Sequence, residues 1–154
     1  MTEILYRAKA INRERGYHRT DYKNGDWVYG LITKPYDERF KSLPAEMRDV
    51  DGVNGIEVDY KTVGQYTGLT DKNGTKVFEG DIIAHYSFGE VHIDGVVKYG
   101  TFNCSCCEGV YGWYIDGGDI RSLKEEWDEE CSTNCYIIGN IHDNPELLGG
   151  GKYV

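Results

Sequence analysis

Proline is nearly missing from this chain, with 3 in 154 residues. Together with 40% hydrophobic and 28% charged residues, that scarcity excludes a disordered composition. Missing too is any apolar run near the roughly 18 residues that a membrane helix needs. Arg7 and Lys9 are not followed by the apolar stretch of a secretory signal. These absences predict a cytoplasmic protein with no membrane partner. Basic residues are in deficit, 17 against 26 acidic, for a net charge of -9. That balance repels nucleic acid at long range and favours solubility. No serine stands in a nucleophile elbow. Gly149, Gly150, Gly151 and Lys152 imitate part of a phosphate loop but lack its preceding spacing and following helix. No catalytic or cofactor-binding residue is assigned on these grounds, and an enzyme is not the expectation.

Glycine and tyrosine, at 20 and 13, are plentiful. Glycines set between aromatic and β-branched runs favour turns and strands over long helices. Residues 63–84, VGQYTGLTDKNGTKVFEGDIIA, read as two extended runs joined by a tight turn, then a second turn into a strand. Asn73-Gly74 has the composition of a two-residue hairpin loop. Glu79, Gly80 and Asp81 supply the second turn, with Asp81 accepting backbone hydrogen bonds inside it. Gly74 and Gly80 are expected where a Cβ would clash.

Within this stretch, VGQYTGLTDKNGTKVFEGDII resembles the central signature of the YopX family of phage and prophage proteins. ILYRAKA at residues 4–10 resembles the family's opening, which usually has Phe and Trp where this chain has Tyr6 and Ala10. WVYG at residues 27–30 is similar to its next block, and IIGNIHDNPELL at residues 137–148 to its closing motif. The resemblance spans nearly the whole chain. It implies no established activity and no catalytic residues.

Further strands are expected at residues 4–10, with Ile4, Tyr6, Ala8 and Ala10 inward and Leu5, Arg7 and Lys9 on a wet face, and at residues 27–32 and 56–60. These first two strands are candidates to pair. Pro44 can open a short helical turn reaching Met47. Later come strands at residues 82–86, 91–99, 110–115 and 136–141, the second bent or bulged at Gly95. Ser122 and Glu125 form a capping-box pattern for a helix over residues 122–130. Asn144 caps a final turn that begins at Pro145. The fold expected is mainly β (a β-rich α+β protein). Residues 1–60 form an N-terminal β-rich lobe with a variable insert. Residues 61–148 form a small curled, SH3-like β-barrel with one short helix, and residues 149–154 a flexible tail.

Cys104 and Cys107 form C-x-x-C, and Cys131 and Cys135 form a second pair. Two close pairs have the layout of a four-thiolate zinc site, which would clip a loop to the helix end. Unliganded thiols are nonetheless the first reading, the zinc site is the second and a redox pair the third; no metal ligand is assigned. His85 and His92 flank the Phe88-Gly89 turn, so a hairpin could bring them together, with Asp94 or Glu90 orienting one ring. The favoured reading is plainer, with both on a partly exposed strand face and no shared role. The acidic run from Glu125 to Glu130 reads as a solvated helix face. Residues 1–25 carry six basic against three acidic residues, an excess of +3. Tyr17, Tyr22, Trp27 and Tyr29 lie in or beside that end and could stack on bases. The function expected first is a non-enzymatic, self-associating protein-interaction or structural module, with another phage or host protein as a further partner. Nucleic-acid binding and a zinc-containing protein or enzyme are the alternatives.

Overall fold

A computed structural model describes residues 3–11, 22–34, 38–40, 45–50, 55–103, 108–117, 121–123 and 134–149. The chain divides into two compact units, Met1–Tyr66 and Thr67–Val154. The strands are β1 (Tyr6–Lys9), β2 (Trp27–Lys34), β3 (Ala45–Asp49), β4 (Ile56–Val58), β5 (Gly64–Thr70) and β6 (Lys76–Phe78). They continue with β7 (Asp81–Ser87), β8 (Glu90–Phe102), β9 (Val110–Asp116), β10 (Arg121–Ser122) and β11 (Cys135–Asn140). One sheet has the order β4-β3-β2-β1-β5-β6 and the other β10-β9-β8-β7-β11.

These orders correct the barrel expectation. Both sheets are antiparallel and open, and the five-stranded sheet ends on β10 at one side and β11 at the other, without those strands pairing. Turn density alone suggested curling. Closure depends on which strands become neighbours, and that is a nonlocal choice.

In the first unit, β1 and β2 pair as expected, from Tyr6↔Gly30 to Lys9↔Trp27. Its core includes a cluster of Ala8, Ala10, Val28, Ala45, Met47, Ile56 and Val58. The wet face expected for β1 is wrong: Leu5 and Arg7 are both buried. The Arg7 guanidinium lies 4.7 Å from the Trp27 ring centroid and Lys9 Nζ 5.4 Å. Cation–π packing therefore covers the side that composition marked as solvated. The short helix from Pro44 to Met47 is also corrected, because Ala45–Asp49 is a strand paired to both β2 and β4. Sheet partners on both sides outweigh the local helix-start signal. The third expected strand stops at Val58, and Tyr60–Thr62 is a 3-10 turn whose Lys61 N–H donates to the capping Asp59 carboxylate.

In the second unit, the centre of β7–β8 is buried on both faces. Ile83 and Val97 pack with Val77, Ile115, Leu123 and Cys135, and Ile82 and Val96 with Leu148. Two covered faces explain why Ile82, Ile83 and Ala84 form an unbroken apolar run instead of alternating. The bulge expected at Gly95 is present. Ile83 faces Gly95 while Ala84 faces Ile93, so Asp94 is the extra residue. Gly95 has φ +143°, and a Cβ there would collide with the Asp116 carbonyl oxygen. The bulge also switches the parity of β8. Val91 shares a face with Val96 and Lys98, and His92 with Val97 and Tyr99, so the uniform alternation expected along residues 91–99 fails.

The Asn73-Gly74 hairpin is corrected in detail. Gly74 has φ +78°, but Asn73 is not left-handed. The Gly74 N–H donates to the Asp71 carbonyl (2.9 Å) and the Asp71 N–H to the Thr75 carbonyl (2.9 Å), so the loop holds three residues. The Asp71 carboxylate accepts from the N–H groups of Asn73 and Thr75 (both 2.9 Å) and of Ile137 in β11 (3.1 Å). Asp81 does accept within its turn, from the Phe78 N–H at 2.7 Å. No clash dictates Gly74 or Gly80. A Cβ at Gly74 would meet nothing within 4 Å and one at Gly80 only ordinary contacts, so positive φ is the reason for both. Asn144 precedes the Pro145–Leu148 turn but makes no side-chain cap; its Oδ1 accepts from the Asn140 N–H at 3.3 Å.

Candidate functional site

The β7–β8 hairpin carries the most unusual chemistry among the described residues. Ser87 pairs with Glu90, leaving Phe88 and Gly89 as a two-residue loop. Both have positive φ, +51° and +80°, which is the type I′ geometry. Phe88 is the one non-glycine with positive φ among the described residues, and its side chain is fully exposed at 102%. A bulky residue in the left-handed region costs on the order of 1–2 kcal/mol. Asn is the residue that this position ordinarily selects. Tyr86 and Val91, a facing pair beside the tip, are 61% and 54% exposed.

On the opposite face, His85 and His92 pair in register, and their rings stack with centroids 5.2 Å apart and planes 22° apart. His85 Nδ1 lies 2.9 Å from both carboxylate oxygens of Asp94. His92 Nε2 lies 3.2 Å from the Ser87 carbonyl oxygen. The hairpin thus brings together the two histidines and Asp94, the less-favoured of the two sequence readings. Glu90, the other acid considered, lies exposed at the turn. Asp94 is buried because it is the bulged residue, beside the close approach of Gly95 to Asp116.

A second aromatic group lies toward the other end of β8. Tyr99 faces Trp113, and Tyr111 is opposite Thr101. The Tyr99 ring meets Tyr111 edge-on at 5.2 Å and Trp113 at 4.7 Å. Tyr99 and Tyr111 are 47% and 68% exposed. The hydrogen bond that the Tyr99 hydroxyl donates to Tyr111 raises the Tyr99 phenol above its usual range, with desolvation and the Tyr111 charge adding to it. Alternation places Tyr99 with Thr101 and Tyr111 with Trp113, and the regular β8–β9 register brings the two pairs onto one face.

Of the cysteines considered for zinc, Cys104, Cys107 and Cys131 lie outside the described residues, as does the helix expected over residues 122–130 beyond Ser122 and Leu123. Cys135 is buried in the second unit's core. Among the described residues, no three His, Cys, Asp or Glu side chains converge in a metal-holding group. Of the residues considered for base stacking, Tyr17 lies outside the described residues. Tyr22 donates its hydroxyl to Asp49 Oδ2 at 2.9 Å and packs on the first core. No helix among the described residues is long and apolar enough to cross a membrane.

The class this fold defines is a mainly-β protein of two open antiparallel sheets. The chain belongs to the YopX protein family, whose family model matches residues 9–149. No curated protein matches it.

Proposed function

We propose that the chain is a non-enzymatic phage or prophage accessory protein that works by protein–protein contact, beginning with association between its own copies. The observation that carries this reading is Phe88. Folding alone would favour Asn-Gly at this two-residue turn, yet a fully exposed phenyl ring is held there in a left-handed backbone. With Tyr86 and Val91 it makes an apolar tip of the kind that anchors in a partner's surface. Tyr99 and Tyr111 offer further aromatic area on the same sheet. The net charge of -9 and the cations already seated on Trp27 support a protein partner over nucleic acid.

Native mass spectrometry and light scattering on the intact chain test this reading. The parent chain is expected to populate an oligomer at high micromolar concentration. Phe88→Asn is expected to lower the oligomer fraction at least tenfold while keeping the fold. A parent chain that stays monomeric at that concentration, or an oligomer unchanged by Phe88→Asn, overturns association through the tip.

A further inference from the structure

We propose that His85 and His92 form a two-imidazole site for a divalent transition-metal ion, with Asp94 orienting the first ring. The argument starts from proton placement. A carboxylate only accepts hydrogen bonds, so His85 presents an Nδ1–H to Asp94, 2.9 Å away. In the neutral ring its lone pair then sits on Nε2. A backbone carbonyl also only accepts, so His92 presents an Nε2–H to Ser87, 3.2 Å away. Its lone pair sits on Nδ1. Each ring therefore has one nitrogen engaged in fixing its tautomer and the other available for ligation.

Cross-strand pairing supplies the proximity. His85 and His92 are register partners, so their Cβ atoms lie about 5 Å apart. The rings overlap, with centroids 5.2 Å apart. Near-parallel rings point their lone pairs side by side, so ligation of one ion requires the His92 ring to turn out of the stack and give up its Ser87 contact while His85 keeps Asp94. The carboxylate–histidine arrangement is the one that raises ligand basicity and fixes ring direction in metal sites. Neutral imidazole suits zinc, nickel and copper. The His85 side chain is 35% exposed, so an ion can reach it, while Asp94 beneath is 7% exposed and held at the bulge. Other coordination positions are left to water, since no third His, Cys, Asp or Glu converges there among the described residues.

The test is a zinc chloride titration of the intact chain, followed by the ring carbon–hydrogen NMR signals of the histidines. Following individual rings separates this site from binding at the cysteines. The signals of His85 and His92 are expected to move together with one midpoint. In His85→Ala, the His92 midpoint is expected to rise at least tenfold, because chelation is lost; His85→Gln serves if the alanine variant does not fold. In Asp94→Asn, both midpoints are expected to rise about tenfold. Rings that stay unmoved at millimolar zinc overturn the proposal. So does a His92 midpoint unchanged by loss of His85, which would mean independent binding to single rings.

Discussion

The two units handle apolar surface differently. The first uses strands of three to eight residues around a cluster in which three of the seven members are alanine. The second runs a strand of 13 residues through a zone covered on both faces. That strand is longer than its cover, so its ends project: Tyr86, Phe88 and Val91 beside one, Tyr99 and Tyr111 toward the other. The first unit also exposes Tyr29, Leu31 and Val50, along β2 and at the neighbouring end of β3. The difference is one of placement. A short-strand sheet shows apolar residues on its outer face, whereas an overlong hairpin presents them at a tip, where a partner meets fewer neighbouring groups.

The contrast can be broken from the core outward. Ile83→Ala removes a fully buried side chain from the second unit's core and is expected to cost about 4 kcal/mol in chemical denaturation. Met47→Ala, the matching change in the first unit, is expected to cost about 3 kcal/mol. A loss below about 1 kcal/mol at Ile83 would mean that the doubly covered zone is not the stabilising centre of its unit. Gly95→Val attacks the bulge and is expected to cost about 3 kcal/mol, through positive φ and collision with the Asp116 carbonyl. It should also separate Asp94 from His85, which the His85 ring signals would report. Asp71→Ala removes three accepted N–H bonds and should cost about 2 kcal/mol, with faster amide exchange at Ile137.

The smaller effects sharpen the contrast at the projecting ends. Phe88→Asn is expected to stabilise the isolated chain by about 1 kcal/mol while weakening association. A destabilised monomer would show instead that Phe88 serves folding. Tyr111→Phe removes the hydrogen bond that raises the Tyr99 phenol, so ultraviolet titration should find Tyr99 ionising at lower pH than in the parent. The sign follows from the raised folded-state value. The stabilisation is fully present below the ordinary tyrosine range near pH 10 and is lost as pH climbs through the raised value.

Much of the strand pattern was legible. The β1–β2 pairing, the Gly95 bulge, the strands at residues 82–86 and 110–115 and the meeting of His85 with His92 all follow from period-two alternation and turn residues. Past the end of β11, the Asn140 Oδ1 accepts from the N–H groups of His142 and Asp143. Less legible was the turn chemistry. Asn73-Gly74 carries the composition of a type I′ loop, but the Asp71 carboxylate gathers two N–H groups and makes a three-residue loop. Phe88-Gly89, with poorer composition, takes the I′ geometry because the register of β7 and β8 leaves only two residues to turn.

By itself, then, the sequence determined a β protein with strands and turns near their observed places, and membership of the YopX family. Those depend on side-chain alternation and backbone freedom, which act over a few residues. Tertiary structure decided that the sheets stay open, that Ala45–Asp49 is a strand, that Arg7 is buried against Trp27, and which residues share a face beyond the bulge. Each of those outcomes depends on neighbours distant in the chain, and local propensities of a few tenths of a kcal/mol yield to burial and pairing worth several times more.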